Sequence, residues 1–156
     1  KNYRKRLIKS PKLYFYDTGL ASRLLGIERT EHVLHHPLRG NLFENLVVGE
    51  FLKYRYNRGL SDPLYFYRDN KGNEVDLIYE IGGMPFPVEI KAGATLNSDY
   101  FRGLRYFLER VAEPNPYTVV EGLLVYAGDR DEQRSSIKVT HPSKLPQALS
   151  SLEKRD

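Results

Sequence analysis

The sequence predicts a mixed α/β domain in which helices pack against a mixed β-sheet. Two observations lead to this fold class. A strong helix pattern over residues 41–59 is followed by three strand candidates and a second amphipathic helix. Residues 117–128 (YTVVEGLLVYAG) then form an almost uninterrupted β-branched and aliphatic run, which is typical of a strand covered on both faces. The order helix, three strands, helix, strand therefore predicts helices on a central sheet.

The first forty residues predict small elements. Residues 12–16 (KLYFY) favour a short strand, Asp17 has the side chain of a helix N-cap, and Gly26 is placed to end that helix. Residues 28–39 show no clear period and predict a loop or an irregular helix. Three histidines crowd this segment, where we expect a loop or interface and not a zinc site: His32, His35 and His36.

Residues 40–59 predict a helix that has Asn41 as its N-cap and ends just before Gly59. Its apolar residues recur at helical spacing: Phe43, Val47, Phe51 and Tyr54. Glu44 lies three residues after Asn41, and this pair also fits a capping box, in which the Glu44 side chain would bond the N-cap amide.

The three strand candidates are Pro63 to Arg68, Glu74 to Ile81 and Phe86 to Lys91. A second amphipathic helix begins near Ser98, with its apolar residues on one face: Phe101, Leu104, Leu108 and Val111. After the buried strand, residues 136–140 (SIKVT) predict an edge strand. The last element is a terminal helix with Pro146 in its first turn.

A Gly-Gly turn at residues 82–83 fixes the pairing of the second and third strands, because glycine tolerates the positive φ that a two-residue turn needs. Ile81 then opposes Met84, and one face of the hairpin is apolar through the pairs Tyr79–Phe86, Leu77–Val88 and Val75–Ile90. On the other face, Asp76 lies opposite Glu89 and Glu74 lies opposite Lys91.

In this register Asp76 and Glu89 are about 5 Å apart at Cβ, and like charges directly opposed are destabilising. Open solvent, neutralisation by Lys91 and Arg68, or a bound divalent cation would each relieve the repulsion. Mg²⁺ is commonly held by one or two carboxylates, and Lys91 emerges ~6.6 Å along the strand from Glu89. Such an array suits metal-assisted phosphodiester hydrolysis. From the spacing alone, the favoured interpretation is a half-exposed strand that carries charges on its solvent-facing side.

The composition of the chain excludes several kinds of functional site. The 156 residues suffice for one domain with a sizeable core, and the absence of cysteine excludes disulfides and thiolate-bound cofactors. We expect no haem, and a reducing cytoplasm is the default location. No apolar run approaches the roughly 18 residues of a membrane span. Because the chain begins without methionine, we expect a further segment upstream.

The net charge of +4 is concentrated near the start of the chain, where six Lys or Arg fall within twelve residues that contain no acid. Arg4, Lys5, Arg6 and Lys9 belong to this segment, which either contacts nucleic acid or is a solvated linker. Arg68 and Lys71 flank the strand that leads to Asp76 and are further candidates for phosphate contact, although Asp69 or Glu74 could pair with them instead.

EVDLI and VEIKAG, after a helix bearing Glu44 and before an amphipathic helix and a buried strand, resemble the PD-(D/E)XK nuclease superfamily. Its restriction-endonuclease-like fold has an α-β-β-β-α-β core in three layers, which matches the order over residues 41–128. The resemblance implies Mg²⁺, or Mn²⁺, bound by Asp76, Glu89 and Glu44, with Lys91 as the catalytic lysine. Val75 stands where the motif name has proline.

Four blocks in order resemble the uncharacterised domain C-terminal to the AAA+ module of many prokaryotic ATPases: SPKLYFYDTGLASRLLG, RGNLFENLVVGEFLK, LYFYRDNKGNEVDLIYE and VEIKAG. This resemblance implies an ATPase upstream in the same polypeptide, where ATP would bind. Residues 1–40 would join it to a nuclease-like domain over residues 41–156. We expect a Mg²⁺-dependent DNA nuclease; the alternative is a catalytically inactive module of the same fold that binds DNA or a protein partner.

Overall fold

The computed structural model describes residues 11–61, 64–81, 84–112 and 121–153. Within these ranges, six strands form one mixed sheet with helices on both faces, so the predicted fold class is confirmed as mixed α/β. Arg4, Lys5, Arg6 and Lys9, the Gly-Gly turn and residues 117–120 of the predicted buried strand lie outside the described residues.

The helices are α1 (Thr18–Leu24), α2 (Thr30–Val33), α3 (Arg39–Tyr56), α4 (Arg102–Phe107) and α5 (Leu145–Glu153). The strands are β1 (Leu64–Arg68), β2 (Glu74–Ile81), β3 (Met84–Lys91), β4 (Gly122–Tyr126), β5 (Glu132–Arg134) and β6 (Ile137–Thr140). A 3₁₀ turn (Ser98–Phe101) leads into α4, a π-helical turn (Leu108–Ala112) follows it, and a second 3₁₀ turn (Pro142–Lys144) leads into α5.

The spatial order of the sheet is β1-β2-β3-β4-β6-β5. Pairing is antiparallel from β1 to β3, parallel from β3 through β4 to β6, and antiparallel again between β6 and β5. All five residues of β4 are buried, as expected for a central strand with helices on both faces. The crossover from β3 to β4 carries α4, which is the usual way to connect parallel neighbours.

Two apolar layers cover the sheet. On what we call the α3 face, sheet residues such as Leu77, Val88 and Val125 pack with α3 and α5. On the opposite α4 face, residues such as Ile78 and Leu124 pack with α4. A smaller cluster joins α1 to the start of α3 through Ala21, Ile27 and Leu42.

Helix ends agree with the sequence in one case and disagree in another. Asp17 caps α1, since its Oδ1 accepts a hydrogen bond of 2.8 Å from the Leu20 amide. The predicted Asn41 cap is wrong, because α3 begins two residues earlier at Arg39. Glu44 therefore lies beyond the first turn and its side chain points to other partners, so the capping box is wrong as well.

Two strand predictions are wrong. Residues 12–16 are not a strand; they run as an irregular segment beside α3. Residues 137–140 form a strand, β6, but not the edge, because the short polar β5 pairs with it on the outside. The three consecutive strands β1 to β3 fall where the sequence predicts them, with ends that differ by one or two residues.

The predicted hairpin register is confirmed from Ile81–Met84 through Tyr79–Phe86 to Leu77–Val88. Beyond that point the alternation of β2 is interrupted. Its pairing with β1 shifts between Tyr65, which pairs with Ile78, and Tyr67, which pairs with Val75. The extra residue of β2 turns Val75 into the α4-face core, so the expectation that it shares a face with Leu77 and Ile90 is wrong.

No helix in the described part of the chain is long and apolar enough to cross a membrane.

Candidate active site

Charged side chains from four parts of the chain meet at the Glu74 end of β2. The segment before α1 contributes Lys12, helix α3 contributes Glu44, β2 contributes Glu74 and Asp76, and β3 contributes Glu89 and Lys91. We call these six residues the ionic cluster. They form one connected set of ion pairs and carboxylate contacts.

Asp76 joins the two halves of the ionic cluster. It lies in the irregular part of β2, where its Oδ2 accepts a hydrogen bond of 2.9 Å from the Ile90 amide of β3. The same oxygen is 3.5 Å from Lys91 Nζ, and Oδ1 is 3.6 Å from Lys12 Nζ. The Asp76 carboxylate is therefore held by a backbone amide as well as by the two lysines.

Glu89 and Lys91 point to the α4 face as an ion pair, with 2.6 Å between Glu89 Oε1 and Lys91 Nζ. The Glu89 side chain is only 9% exposed, and its Oε2 is a buried oxygen without a hydrogen-bond partner among the described residues. Gly103 of α4 lies over it: a Cβ there would be 3.0 Å from Oε2. The close approach of α4 thus buries one carboxylate oxygen without satisfying it.

The pKa values of Glu89 and Lys91 are shifted by this burial and by the neighbouring charges. Burial, and then the nearby Asp76 carboxylate, raise the pKa of Glu89 to about 7. Burial lowers the pKa of Lys91, but Asp76 and Glu89 outweigh it, and the net pKa lies above the ordinary lysine value. Lys91 is therefore a cation at neutral pH.

Lys12 was not expected in this site. Its Nζ is 2.8 Å from Glu74 Oε1 and 3.0 Å from Glu44 Oε1, in addition to the Asp76 contact. Burial lowers the pKa of Lys12, while hydrogen bonds to Glu74 and Glu44 raise it above the ordinary value. The ammonium is thus held, charged, by carboxylates of a helix and a strand.

Glu44 also accepts a hydrogen bond of 2.5 Å from the Tyr14 hydroxyl. Burial, followed by this bond to Glu44, raises the pKa of Tyr14. Asn45, the next residue of α3, binds the backbone of Phe15: Oδ1 accepts from the amide at 2.6 Å and Nδ2 donates to the carbonyl at 2.9 Å. Residues 12–15 therefore lie along α3 and cover its first carboxylate.

The two predicted phosphate contacts that the structure describes lie at the rim. Arg68, on β1, is exposed and pairs with Glu74 Oε2 at 2.5 Å, which also ties it to the ionic cluster. Lys71 is exposed in the β1–β2 turn, where its amide donates to Asp69 Oδ1 at 2.8 Å. Of these two predicted phosphate contacts, Arg68 contacts the ionic cluster and Lys71 has no contact with it among the described residues.

The donor chemistry of the site fits a hard cation. Asp76 and Glu89 offer carboxylate oxygens, and the unpartnered Glu89 Oε2 is a buried acceptor, which suits an ion that takes one or two carboxylates and completes its shell with water. Across the described ranges, however, no three or more His, Asp or Glu side chains are spaced to hold a metal, the three histidines of residues 32–36 included.

Sequence reasoning located Asp76, Glu89 and Lys91 and missed Lys12 and Tyr14. It also treated Glu74 as a partner of Lys91, whereas Glu74 pairs with Lys12 and Arg68. The acid-free basic run that contains Lys12 was a signal, but it suggested contact with a ligand and not with the chain's own carboxylates.

A family described as Domain of unknown function (DUF4143) matches residues 39–145, more than half of the chain. The chain belongs to this family. The DUF4143 match includes Glu44, Glu74, Asp76, Glu89 and Lys91 and begins after Lys12.

Two uncharacterized proteins, from Mycobacterium bovis and Mycobacterium tuberculosis, are each 36% identical to the DUF4143 chain over 94 residues. That stretch is 60% of this chain and 20% of each relative, so the chain spans about a fifth of their length. No solved structure matches the chain at a significant level.

Proposed function

We propose that this DUF4143 domain is a Mg²⁺-dependent nuclease that hydrolyses phosphodiester bonds of DNA. The observation that carries the proposal is the contact of Asp76 with the Glu89–Lys91 pair, in which Lys91 Nζ is 2.6 Å from Glu89 Oε1 and 3.5 Å from Asp76 Oδ2. Two carboxylates beside a charged lysine are the groups that such a reaction needs.

Each side chain has a role in the proposal. Asp76 and Glu89 would bind the metal, and Glu44 of α3 would join them as a third carboxylate once the side chains move closer than they lie in this structure. The metal, when bound, supplies an activated water and offsets charge on the phosphate. Lys91 donates hydrogen bonds to the attacking water or to a phosphate oxygen. The water oxygen would bond to phosphorus and release a proton to solvent, while the bond to the leaving sugar oxygen breaks and that oxygen takes up a proton from solvent.

The fold that we propose is restriction-endonuclease-like. The order α3, β1 to β3, α4, β4, with α3 and α4 on opposite faces of the sheet, supports it because it agrees with the α-β-β-β-α-β core of that superfamily. DNA would lie against Arg68 and Lys71, with Arg4, Lys5, Arg6 and Lys9 as further backbone contacts. In the full polypeptide we propose an upstream AAA+ ATPase that binds ATP, and a cytoplasmic location.

A second candidate function is a catalytically inactive module that keeps this fold and binds DNA or a protein partner for the ATPase. The contacts of Lys12 favour it. Its ammonium lies 3.0 Å from Glu44 and 3.6 Å from Asp76, so two of the carboxylates proposed as ligands already have a cation.

Nuclease assays with Mg²⁺ or Mn²⁺ on plasmid and single-stranded DNA test the two candidates. Asp76→Asn removes a ligand charge, and Lys91→Ala removes the cation beside the phosphate. We expect each to lower the rate by about 10²-fold or more. Lys53→Ala is the control, because Lys53 is an exposed lysine of α3 whose partner is Glu50.

Circular dichroism of each variant checks that the fold persists. Cleavage that survives both Asp76→Asn and Lys91→Ala would refute the proposed site. If the domain binds DNA with and without Mg²⁺ but cleaves neither substrate, also when it is supplied within the full-length ATPase, the inactive module is the function.

A further inference from the structure

The ammonium group of Lys12 is surrounded by carboxylate oxygens, as a bound metal cation would be. Its ammonium has carboxylate oxygens of Glu74 at 2.8 Å, Glu44 at 3.0 Å and Asp76 at 3.6 Å. Its side chain is 22% exposed, so most of it is covered. Glu44, Glu74 and Asp76 come from two separate elements, and the ammonium is the positive group that they share.

The segment that carries Lys12 is attached to α3 by polar contacts. The Tyr14 hydroxyl bonds Glu44, and the Phe15 backbone bonds the Asn45 side chain. Tyr14 is partly buried and packs against the α3-face core, whereas Leu13 is 83% exposed and Tyr16 is 78% exposed. Since polar contacts in water are individually weak, separating residues 12–15 from α3 costs far less than opening the core.

We propose that Lys12 is a tethered cation that competes with the divalent metal for Glu44, Glu74 and Asp76, and that metal binding displaces residues 12–15 from α3. This inference rests on the proposed function, because it takes Asp76 and Glu44 as metal ligands. It adds Glu74 to the site and gives the segment before α1 the role of a gate.

The competition follows from charge and space. An ammonium and a divalent cation repel each other and cannot both lie within about 3 Å of the same carboxylate oxygens. No three acidic or histidine side chains among the described residues are arranged for a metal in this structure, so metal binding at Glu44, Glu74 and Asp76 requires these carboxylates to move closer together as Lys12 leaves. Once Lys12 leaves, Glu44 and Asp76 lose a counter-ion, and a divalent cation restores the charge balance at the oxygens that the ammonium occupied.

Metal affinity of the intact chain tests the competition without any nuclease assay. Mn²⁺ binding is followed by the electron paramagnetic resonance of the free ion for the wild type, Lys12→Gln and Lys53→Gln. We expect Lys12→Gln to bind Mn²⁺ roughly tenfold more tightly. Lys53→Gln removes the same charge from α3 at a lysine paired with Glu50, and we expect its affinity to equal that of the wild type.

A second variant separates displacement from a simple change of charge. Asn45→Ala alters no charge but removes both hydrogen bonds to the Phe15 backbone and the one to Thr18 Oγ1, so it loosens the segment and the start of α1 while Lys12 stays. We expect it to tighten Mn²⁺ binding by a few fold. An affinity equal to that of the wild type in Asn45→Ala would refute the displacement.

Hydrogen exchange reports the displacement directly. The Phe15 amide donates to Asn45 Oδ1 in the metal-free state. At saturating Mg²⁺ we expect this amide to exchange at least tenfold faster, while core amides of β4 keep their rates. An unchanged Phe15 rate with Mg²⁺ bound would overturn the gate.

The outcomes separate this inference from the function on which it rests. Equal Mn²⁺ affinity of the wild type and Lys12→Gln would refute the competition and leave the nuclease proposal standing. No Mn²⁺ binding by either protein would refute both, since the carboxylates would then not be a metal site.

Discussion

The environment of Glu89 is costly to the fold. One of its oxygens is paired with Lys91, and the other is buried without a hydrogen-bond partner in the described residues. An unsatisfied buried polar group costs about 1–3 kcal/mol. An apolar residue at position 89 would avoid this cost, so the stability of the fold does not explain the buried carboxylate.

Gly103 gives a stability prediction at this residue. Alanine usually stabilises a helix relative to glycine, but a Cβ at position 103 would meet the backbone oxygen of Glu74 and lie 3.0 Å from Glu89 Oε2. We therefore expect Gly103→Ala to lower the free energy of unfolding by about 1–3 kcal/mol, as overpacking does. Thermal or urea denaturation measures the change.

Gly49, in the middle of α3, is the matched control, since no described atom outside its own helix lies within 4 Å of a Cβ there. We expect Gly49→Ala to stabilise the fold by about 0.4–1 kcal/mol. Gly103→Ala that stabilises the domain as much as Gly49→Ala would show that α4 does not approach β2 as closely as described.

Asp69 gives a prediction about pH. A hydrogen bond from the Asn73 side chain, opposed in part by burial and reinforced by the Tyr106 hydroxyl, lowers the pKa of Asp69 to about 2. Because the folded pKa is below the ordinary value near 3.8, its stabilisation is present above about pH 4 and is lost as the pH falls towards 2. Asp69→Asn should lower Tm at pH 7, and the difference should shrink between pH 4 and 2.

Thermal melts of both proteins at several pH values measure that difference. A gap in Tm that is the same at pH 2.5 and pH 7 would contradict the assigned pKa shift of Asp69. Asp131, whose pKa is lowered by its bond from Lys144, remains in both proteins and therefore cancels in the comparison.

At the residue scale, the sequence predicted the charged residues of one strand pair and not their partners. Asp76, Glu89 and Lys91 are close in sequence and related by a turn, so strand pairing brings them together. Lys12 reaches Glu44 and Glu74 across 32 and 62 positions, a contact that only the tertiary fold determines. Local patterns carry no information on such pairs.

Among the elements, α1 depends most on local interactions. It has seven residues, and Ala21 is the residue that it buries, so packing stabilises it little. The N-cap bond from Leu20 to Asp17 is therefore a large share of its stability. We expect Asp17→Ala to cost about 1 kcal/mol of local stability, measured as faster hydrogen exchange of the Leu20 amide.

Asp17→Ser is the control, because serine caps about as well as aspartate. It should preserve the slow exchange of Leu20. If Asp17→Ser exchanges as fast as Asp17→Ala, the charge of Asp17 and not its cap geometry protects the helix.

The sequence predicts only part of the β2–β3 hairpin correctly. Residues 81 to 77 pair as the Gly-Gly turn and the alternating apolar residues predict. The prediction fails at Val75, because strict alternation assumes no extra residue, and the irregular pairing with Tyr67 of β1 inserts one. The irregularity lies at Asp76, so the local rule breaks where the candidate site is built.

On the scale of the whole molecule, the sequence predicted the fold class but not every strand of the sheet. The helical and apolar periods identified α3, α4 and the first four strands. The edge strand β5 has the residues Glu132, Gln133 and Arg134, which have no apolar pattern, and pairing with β6 alone makes them a strand. For that reason β6 was expected at the edge and lies inside the sheet.

The attachment of residues 12–15 to α3 affects where the boundary of an expressed fragment should lie and which residues a comparison of relatives should include. The family match starts at residue 39, so a fragment expressed from that boundary would lack Lys12, Tyr14 and Phe15. Glu44 and Asn45 would then lose these partners. If the proposed function and gate hold, a nuclease assay on the fragment would measure a site without its gate. Comparisons between relatives should extend upstream of the shared block, since a basic residue there belongs to the same chemistry as the acids within it.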